Sequence, residues 1–340
     1  MITKEQIDEI REKTDIVDLI GEYLTLKKVG KNYSAICPFH TEKDPSFYVN
    51  PEKKIFYCFG CQTGGDALTF VMKYENLDFP SALEKLGKRV GVNIVRGSAQ
   101  DKYEDLYEAN EFAANFYNLA LEKDSDQRGL NYLRQRKITQ DTIKRFKLGY
   151  APPAGGLIAE ARKKNFAIEK LIKIGLVSAD RRWEHFRARV IFPIFNLGGR
   201  IIGFGGRGID ERIEPKYLNS PESPIFKKGD ALFGLYQARD SIRARNSALL
   251  VEGYFDQISL FQAGILNVVA PLGTAFTESQ ALLLSRYCKQ VYLFFDGDMS
   301  GIRAALRAIG LLINVQVGVK VVNLPEGKDP DSFVNEKGER

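Results

Sequence analysis

The spacing of apolar residues changes several times along this 340-residue chain, and each change marks a different kind of element. The first stretch has a helical period. Thr14 is placed to cap "DIVDLIGEYL", in which Ile16, Val17, Leu19, Ile20 and Leu24 form one apolar face. The period then shortens to two: "PSFYVNPEKKIFYC" alternates around Asn50-Pro51, which predicts two strands and a turn. "GDALTFVMKYEN" and "FPSALEKLGKRVG" predict two short helices that cover the apolar side of that hairpin. Polar residues 96–105 read as a linker or the start of a connecting helix. "YEANEFAANFYNLAL" predicts a further helix, and "RVIFPIFNLGGRIIGFGGRG" two strands about the turn at Gly198-Gly199. From about Ser247 strands and helices alternate. "ALLVEG", "NVVAPLG", "QVYLFF" and "KVVNLP" are short, continuously apolar strands, and "DQISLFQAG", "TESQALLLSRY" and "SGIRAALRAIGLL" are the helices between them. Buried strands joined by helices predict a parallel sheet covered on both faces. No internal repeat or low-complexity segment interrupts this order.

The cysteines sharpen the hairpin. Of four cysteines and two histidines, Cys37, His40, Cys58 and Cys61 form C-x2-H-x17-C-x2-C across the two predicted strands. A two-residue gap lets both donors of a pair reach one ion, and four N/S donors suit tetrahedral Zn(II). This predicts a zinc ribbon whose metal is structural, because four protein donors leave no open position. Phe47, Tyr48, Phe56, Tyr57 and Phe59 lie in the same hairpin, either packed in its core or available to stack on bases.

Composition narrows the class. An apolar content of 44% supports ordinary cores over more than one domain. The charged start "MITKEQIDEIREK" is unlike a secretory signal, and no run of 18 apolar residues occurs. Cys288 is left without a partner, which fits a reducing cytoplasm. Residues 181–245 hold 13 Lys/Arg against 7 Asp/Glu, whereas the rest of the chain balances at 36 against 36, so the net charge of +6 belongs to this stretch. A local basic surface points to a polyanion such as nucleic acid or nucleotide.

Acids stand where three of the predicted strands end. Glu252 follows "ALLV", Asp296 and Asp298 follow "QVYLFF", and Asp329 and Asp331 come shortly after "KVVNLP". The carboxyl ends of parallel strands share one edge, where ligands bind, so these acids are expected to converge. Asp256, one turn beyond Glu252, joins them or caps its own helix. All-oxygen donors favour Mg(II) or Mn(II), and two such ions activate an attacking hydroxyl and stabilise a leaving phosphate oxygen. Two other motifs fail on context. "DGDMSG" opens like a calcium loop, but a strand precedes it and its twelfth position is Arg307. "GFGGRG" fits G-x-G-x-x-G without a following helix and reads instead as backbone that approaches a partner closely. No phosphate loop of the G-x-x-x-x-G-K-[ST] type occurs.

The ribbon, followed in order by "FGGR", "KYLNSPES", "VEGYFD", "FFDGD" and "GKDPD", resembles the bacterial replicative DNA primases of the DnaG type from the N-terminus to residue 333. The resemblance implies an α/β multidomain protein: a zinc ribbon with helices, a mixed α+β subdomain, and a Toprim-like parallel α/β sheet. Expected bounds are 1–98 for the zinc-binding domain, 99–110 for a linker, 111–245 for the basic subdomain of the polymerase core and 246–340 for Toprim. It implies synthesis of short RNA primers on single-stranded DNA from ribonucleoside triphosphates, giving an RNA–DNA hybrid, at the replication fork in the cytoplasm. Glu252, Asp296 and Asp298 become the central catalytic and metal-binding acids, with Asp256, Asp329 and Asp331 assisting. Arg136, Arg207, Lys216, Tyr217, Asn219 and Lys228 are implied to hold nucleotide phosphates and template. A replicative helicase is the family's usual partner, docked through a C-terminal domain not expected here, where the sequence ends in "NEKGER". Two other readings share features: a Toprim topoisomerase or nuclease, and a non-catalytic zinc-ribbon DNA-binding replication factor, which would not need the full acid set.

Overall fold

The computed structural model describes residues 4–337 except 76, 78, 93–102, 124–126, 211, 274 and 326. It divides into two compact units, residues 1–102 and 103–340.

The first unit opens with α1 (Lys4–Lys13) and α2 (Ile16–Gly21). Asp15, not Thr14, caps α2, because its carboxylate accepts the Val17 and Asp18 N–H groups. Thr14 is buried and donates its hydroxyl to the Ile10 carbonyl at the end of α1. Both residue types cap well, so the sequence leaves the choice to tertiary contacts. Five antiparallel strands follow in spatial order: β1 (Lys27–Val29), β2 (Asn32–Ala35), β3 (Phe47–Asn50), β4 (Ile55–Cys58) and β5 (Gly64–Gly65). The expected hairpin is its centre, with Phe47 opposite Cys58 and Tyr48 opposite Tyr57. The pleat sends Phe47, Val49 and Phe56 inward against α3 (Ala67–Tyr74) and α4 (Phe79–Val90). Phe47 and Phe56 stack at 5.2 Å and Phe70 meets Phe56 edge-on at 5.6 Å. Tyr48, Tyr57 and Phe59 point outward as a second aromatic group, with Phe59 69% exposed. The five-residue aromatic set is thus split between core and surface.

The second unit begins with α5 (Glu104–Lys123); residues 99–102 of the expected connecting stretch lie outside the described residues. After α6 (Arg128–Gln135) and α7 (Gln140–Arg145) come β6 (Gly149–Ala151), α8 (Leu157–Lys163), α9 (Ile168–Lys173), β7 (Arg189–Phe195), β8 (Ile201–Gly208) and β9 (Tyr217–Asn219). β6–β9 form an antiparallel sheet in chain order. The "GFGGRG" run lies within β8, and its glycines are there for space. A Cβ on Gly205 would sit 2.5 Å from Tyr254 Oη, and one on Gly206 2.7 Å from a Phe186 ring carbon.

α10 (Leu235–Arg245) leads into the strand–helix alternation: β10 (Ser247–Leu250), α11 (Tyr254–Gln262), β11 (Val268–Val269), α12 (Glu278–Ser285), β12 (Gln290–Leu293), α13 (Met299–Asn314), β13 (Gly318–Val321) and α14 (Pro330–Lys337). All pairings are parallel, in spatial order β11-β10-β12-β13. One apolar core joins the two sheets of this unit, with Phe192 stacked on Tyr254 at 4.9 Å. The edge made by the carboxyl ends of β10 and β12 is thereby fixed against the wall made by β8 and β9. Among the described residues no helix is long and apolar enough to cross a membrane.

Candidate functional site

In the first unit the four zinc-ribbon donors converge: their ligand atoms all lie within 4.8 Å of one another. Among the described residues this is the one group of three or more His, Cys, Asp or Glu side chains that closes so tightly. Two thiols, a third beside them and an imidazole in that space fit tetrahedral Zn(II). His40 Nδ1 faces Cys58 Sγ at 3.8 Å, while its Nε2 lies 3.2 Å from Glu42 Oε2. Glu42 also accepts the Cys37 and Ser46 N–H groups at 2.7 and 3.1 Å and the Ser46 hydroxyl. Ser46 Oγ in turn lies 3.1 Å from Cys58 Sγ. Glu42 therefore braces three of the four donors, the support that ligating histidines usually receive. Nothing in the donor spacing announces it.

In the second unit the strand-end acids meet as the parallel topology requires. Glu252 Oε1 accepts the Asp296 N–H at 3.0 Å, which links the ends of β10 and β12. Burial raises the Glu252 pKa, and Asp298 adds to the rise. Burial and the nearby charges of Glu252, Asp329 and Asp298 push Asp296 up to about 6. Asp256, more deeply set, is pushed up to about 7 by burial and by Asp296, Asp329 and Asp331. Asp256 also accepts the Gly253 N–H at 2.9 Å at the start of α11, the capping role expected of it. Asp298 caps α13 through the Gly301 N–H, and Asp329 accepts the Ser332 N–H at the start of α14. Asp296 Oδ1 is buried without a hydrogen-bond partner. Glu252, Asp256 and Asp296, which burial first and then neighbouring acids hold towards their protonated forms, with an orphaned buried oxygen on Asp296, fit a hard divalent cation.

The basic residues adjoin this edge. Arg136 Nη1 pairs with Asp331 Oδ2 at 3.1 Å and its guanidinium lies 4.9 Å from the Phe255 ring centre. The other Asp331 oxygen accepts from Ser259 Oγ at 2.6 Å. Arg207 lies 5.0 Å from the Tyr217 ring centre and donates Nε–H to Tyr132 Oη at 3.1 Å. Tyr217 is pushed up to about 12 by burial, with Asp256 among its electrostatic neighbours. Asn219 is spent inside the protein: its amide donates to the Leu272 carbonyl and its oxygen accepts from Tyr254 Oη. Lys216 is exposed just before β9, and Lys228 lies in a short turn near His185. Their backbone carbonyls accept from Arg189 and Gln280.

Sequence reasoning missed His185 and Arg189. The imidazole donates Nε2–H to the Asn219 carbonyl at 2.9 Å, as an accepting carbonyl requires. Burial lowers its pKa against that bond, and Arg189 and Lys228 push the same way. Arg189 is buried at the head of β7, and nothing but the local charge excess marked it.

Three family models cover the chain: the CHC2 zinc finger over residues 2–102, the DNA primase catalytic core N-terminal domain over 116–239, and a Toprim-like domain over 249–334. A DNA primase of Aquifex aeolicus (strain VF5) is 46% identical over 335 residues, covering 98% of this chain and 66% of that protein. A DNA primase of Pseudomonas aeruginosa is 43% identical, covering 100% and 54%. The chain thus spans about half to two thirds of the length of the curated relatives it matches. The crystal structure of the zinc-binding and RNA polymerase domains of the Aquifex aeolicus primase matches with a TM-score of 0.66 at 45% identity, covering 98% of this chain and 83% of that one. A DnaG primase catalytic domain bound to ssDNA matches with a TM-score of 0.64 at 36% identity, covering 70% and 76%.

Proposed function

The chain belongs to the DnaG-type DNA primase family, and from that membership we propose that it is a DNA-directed RNA polymerase laying short RNA primers on single-stranded DNA. One observation carries the reading: a strand-end carboxylate cluster paired with a guanidinium, Arg136 on Asp331, on a helix edge that is itself bonded to β9 through Tyr254 and Asn219. Acids that gather cations beside cations that gather phosphate are what transfer of a nucleotidyl group between polyanions requires.

In this reading Cys37, His40, Cys58 and Cys61 hold a structural zinc that fixes the ribbon, whose outward Tyr48, Tyr57 and Phe59 face template. Glu252, Asp296 and Asp298, surrounded by Asp256, Asp329 and Asp331, would hold Mg(II) or Mn(II), which when bound supplies an acidified primer 3′-hydroxyl and a neutralised leaving pyrophosphate. The 3′-oxygen attacks the α-phosphorus of a ribonucleoside triphosphate. A new P–O bond forms, the bond to the β-phosphate bridge breaks, pyrophosphate leaves and the hydroxyl proton passes to solvent. Glu252 acts with Asp296 as a unit because it anchors the Asp296 backbone. Arg207, Lys216, Tyr217 and Lys228 meet the triphosphate and template backbone. Arg136, at the end of α6, holds α14 through Asp331, and Asn219 in the wall holds Tyr254.

The test is incubation of the chain with single-stranded DNA, labelled ribonucleotides and Mg(II). Short RNA made de novo, dependent on template and divalent cation, is the expected product. A chain that binds template yet makes no RNA under any divalent cation contradicts the activity.

A further inference from the structure

Trp183 is the only tryptophan in the sequence, and its side chain is 51% exposed. It stands on a tight reversal between α9 and β7 that the chain has fixed with care. Ser178 N–H donates to the Trp183 carbonyl at 3.0 Å, and the Trp183 N–H donates back to Ser178 Oγ at 3.1 Å. Asp180 closes the turn by accepting from Ser178 Oγ and from the Arg182 N–H. The next ladder bond, His185 N–H to the Leu176 carbonyl at 2.9 Å, keeps residues 183–185 extended. In extended backbone alternate side chains share a face. Glu184 and Phe186 go inward, Glu184 accepting the Gly156 and Ile158 N–H groups at the start of α8. Trp183, His185 and Arg187 therefore line the other face. His185 ties that face to the basic wall through the Asn219 carbonyl and the neighbouring charges of Arg189 and Lys228.

A large rigid aromatic ring left half in water, on a rigid turn, gives nothing to the core. Its surroundings are cationic: Arg182 is 84% exposed along its side chain, with one loose contact to Asp180 at 3.7 Å, and Arg187 is exposed. The acids nearby are already used, Asp180 in the turn and Glu184 at α8. An exposed aromatic ring next to Arg182 in the chain, on the face that Arg187 shares and tied through His185 to the proposed phosphate-binding residues, suits alternating base and phosphate better than an apolar protein surface. We infer that Trp183 is a stacking platform for an unpaired base of single-stranded nucleic acid, with Arg182 and Arg187 meeting the adjoining phosphates, so that the strand is gripped before it reaches the Asn219–Lys228 wall. This rests on the reading of the chain as a template-binding polymerase and extends its template path outward.

The single indole makes the test direct. The whole chain is titrated with a labelled single-stranded oligodeoxynucleotide at low salt while oligonucleotide anisotropy and tryptophan emission are both followed. Stacking is expected to quench the emission in step with the rise in anisotropy. Trp183→Ala is expected to weaken binding about 5- to 100-fold, the usual worth of one stacked base, and Trp183→Phe to keep most of the affinity. Both variants should melt as the wild type does, since the ring is not core. Saturating anisotropy with unchanged emission, and Trp183→Ala binding as wild type, overturns the platform while leaving template binding intact. That is also the outcome if the ring instead docks a protein. Weaker binding of Trp183→Ala without quenching in the wild type overturns it too, because stacking requires both. An anisotropy that never rises overturns the platform and the template-binding reading together.

Discussion

Divalent-cation affinity at the strand-end acids should depend steeply on pH, and the structure gives the size of the effect. Asp256 titrates near 7 and Asp296 near 6, because burial and neighbouring acids disfavour their charged forms. On the proposed reading a bound cation needs both ionised. At pH 8 almost all of the protein is ready. At pH 5.5 only about one Asp256 in thirty and one Asp296 in four is ionised, so apparent affinity should fall on the order of 100-fold, about 2.7 kcal/mol. Acids with ordinary pKa values near 4 would lose only a few per cent over the same range. Calorimetry with Mn(II) in buffers of different ionisation enthalpy measures both the affinity and the protons released, about one per binding event near pH 6.5. Folding stability of the metal-free protein should move the other way. A carboxyl whose folded pKa is raised contributes stability at acid pH that is lost as pH rises through 6 and 7. Asp256→Asn should remove the upper part of both dependences. Affinity that stays flat from pH 8 to 5.5, with no proton release, would refute the claim that these acids are pushed together and uncompensated.

Three further substitutions probe the scaffold. Cys61→Ser should release zinc and loosen the first unit, since binding energy at such a site is folding energy, while Glu42→Gln should retain zinc with about 10- to 100-fold weaker affinity because it removes the brace on His40. Zinc affinity unchanged in Glu42→Gln, read by competition with a chromophoric chelator, would show that the carboxylate contacts are incidental. Gly205→Ala should destabilise the second unit by about 1–3 kcal/mol or more, because the new methyl enters the space of the Tyr254 ring, itself held by Phe192 and Asn219. An unchanged urea midpoint would mean the two sheets of that unit are not packed as described.

What could be read from the sequence was what has a strong period or a strong chemical constraint. The ribbon hairpin declared itself because Phe47, Val49 and Phe56 alternate with outward residues, and its cysteine and histidine donors can converge only if the hairpin closes. The four parallel strands declared themselves as short, continuously apolar runs, although the edge strand Gly318–Val321 is largely exposed, and their order on one sheet then brings acids 44 residues apart, Glu252 and Asp296, into contact. The outer ribbon strands were not legible: Lys27–Val29 is exposed throughout and Gly64–Gly65 has no side chains to pattern. The cap at Asp15 was missed because Thr14 is an equally good cap by type, and only the Ile10 carbonyl decides between them. Glu42, His185 and Arg189 were invisible for a third reason. Glu42 is local to His40 but is not one of the donors that the spacing marks, whereas His185 and Arg189 act through hydrogen bonds across the fold, to Asn219 and to Lys216, which no local spacing encodes.

The central claim is that the acids at the ends of β10 and β12 perform the chemistry while the basic wall holds the strand. Asp296→Asn and Glu252→Gln keep shape and most hydrogen bonding but each removes one negative charge from the edge. The decisive measurement is primer synthesis by both variants on single-stranded DNA, run beside template affinity by anisotropy on the same preparations. The account expects RNA synthesis to fall by orders of magnitude in each, with template affinity within a few-fold of wild type. Near-normal synthesis in both would contradict it and leave the parallel sheet as a scaffold.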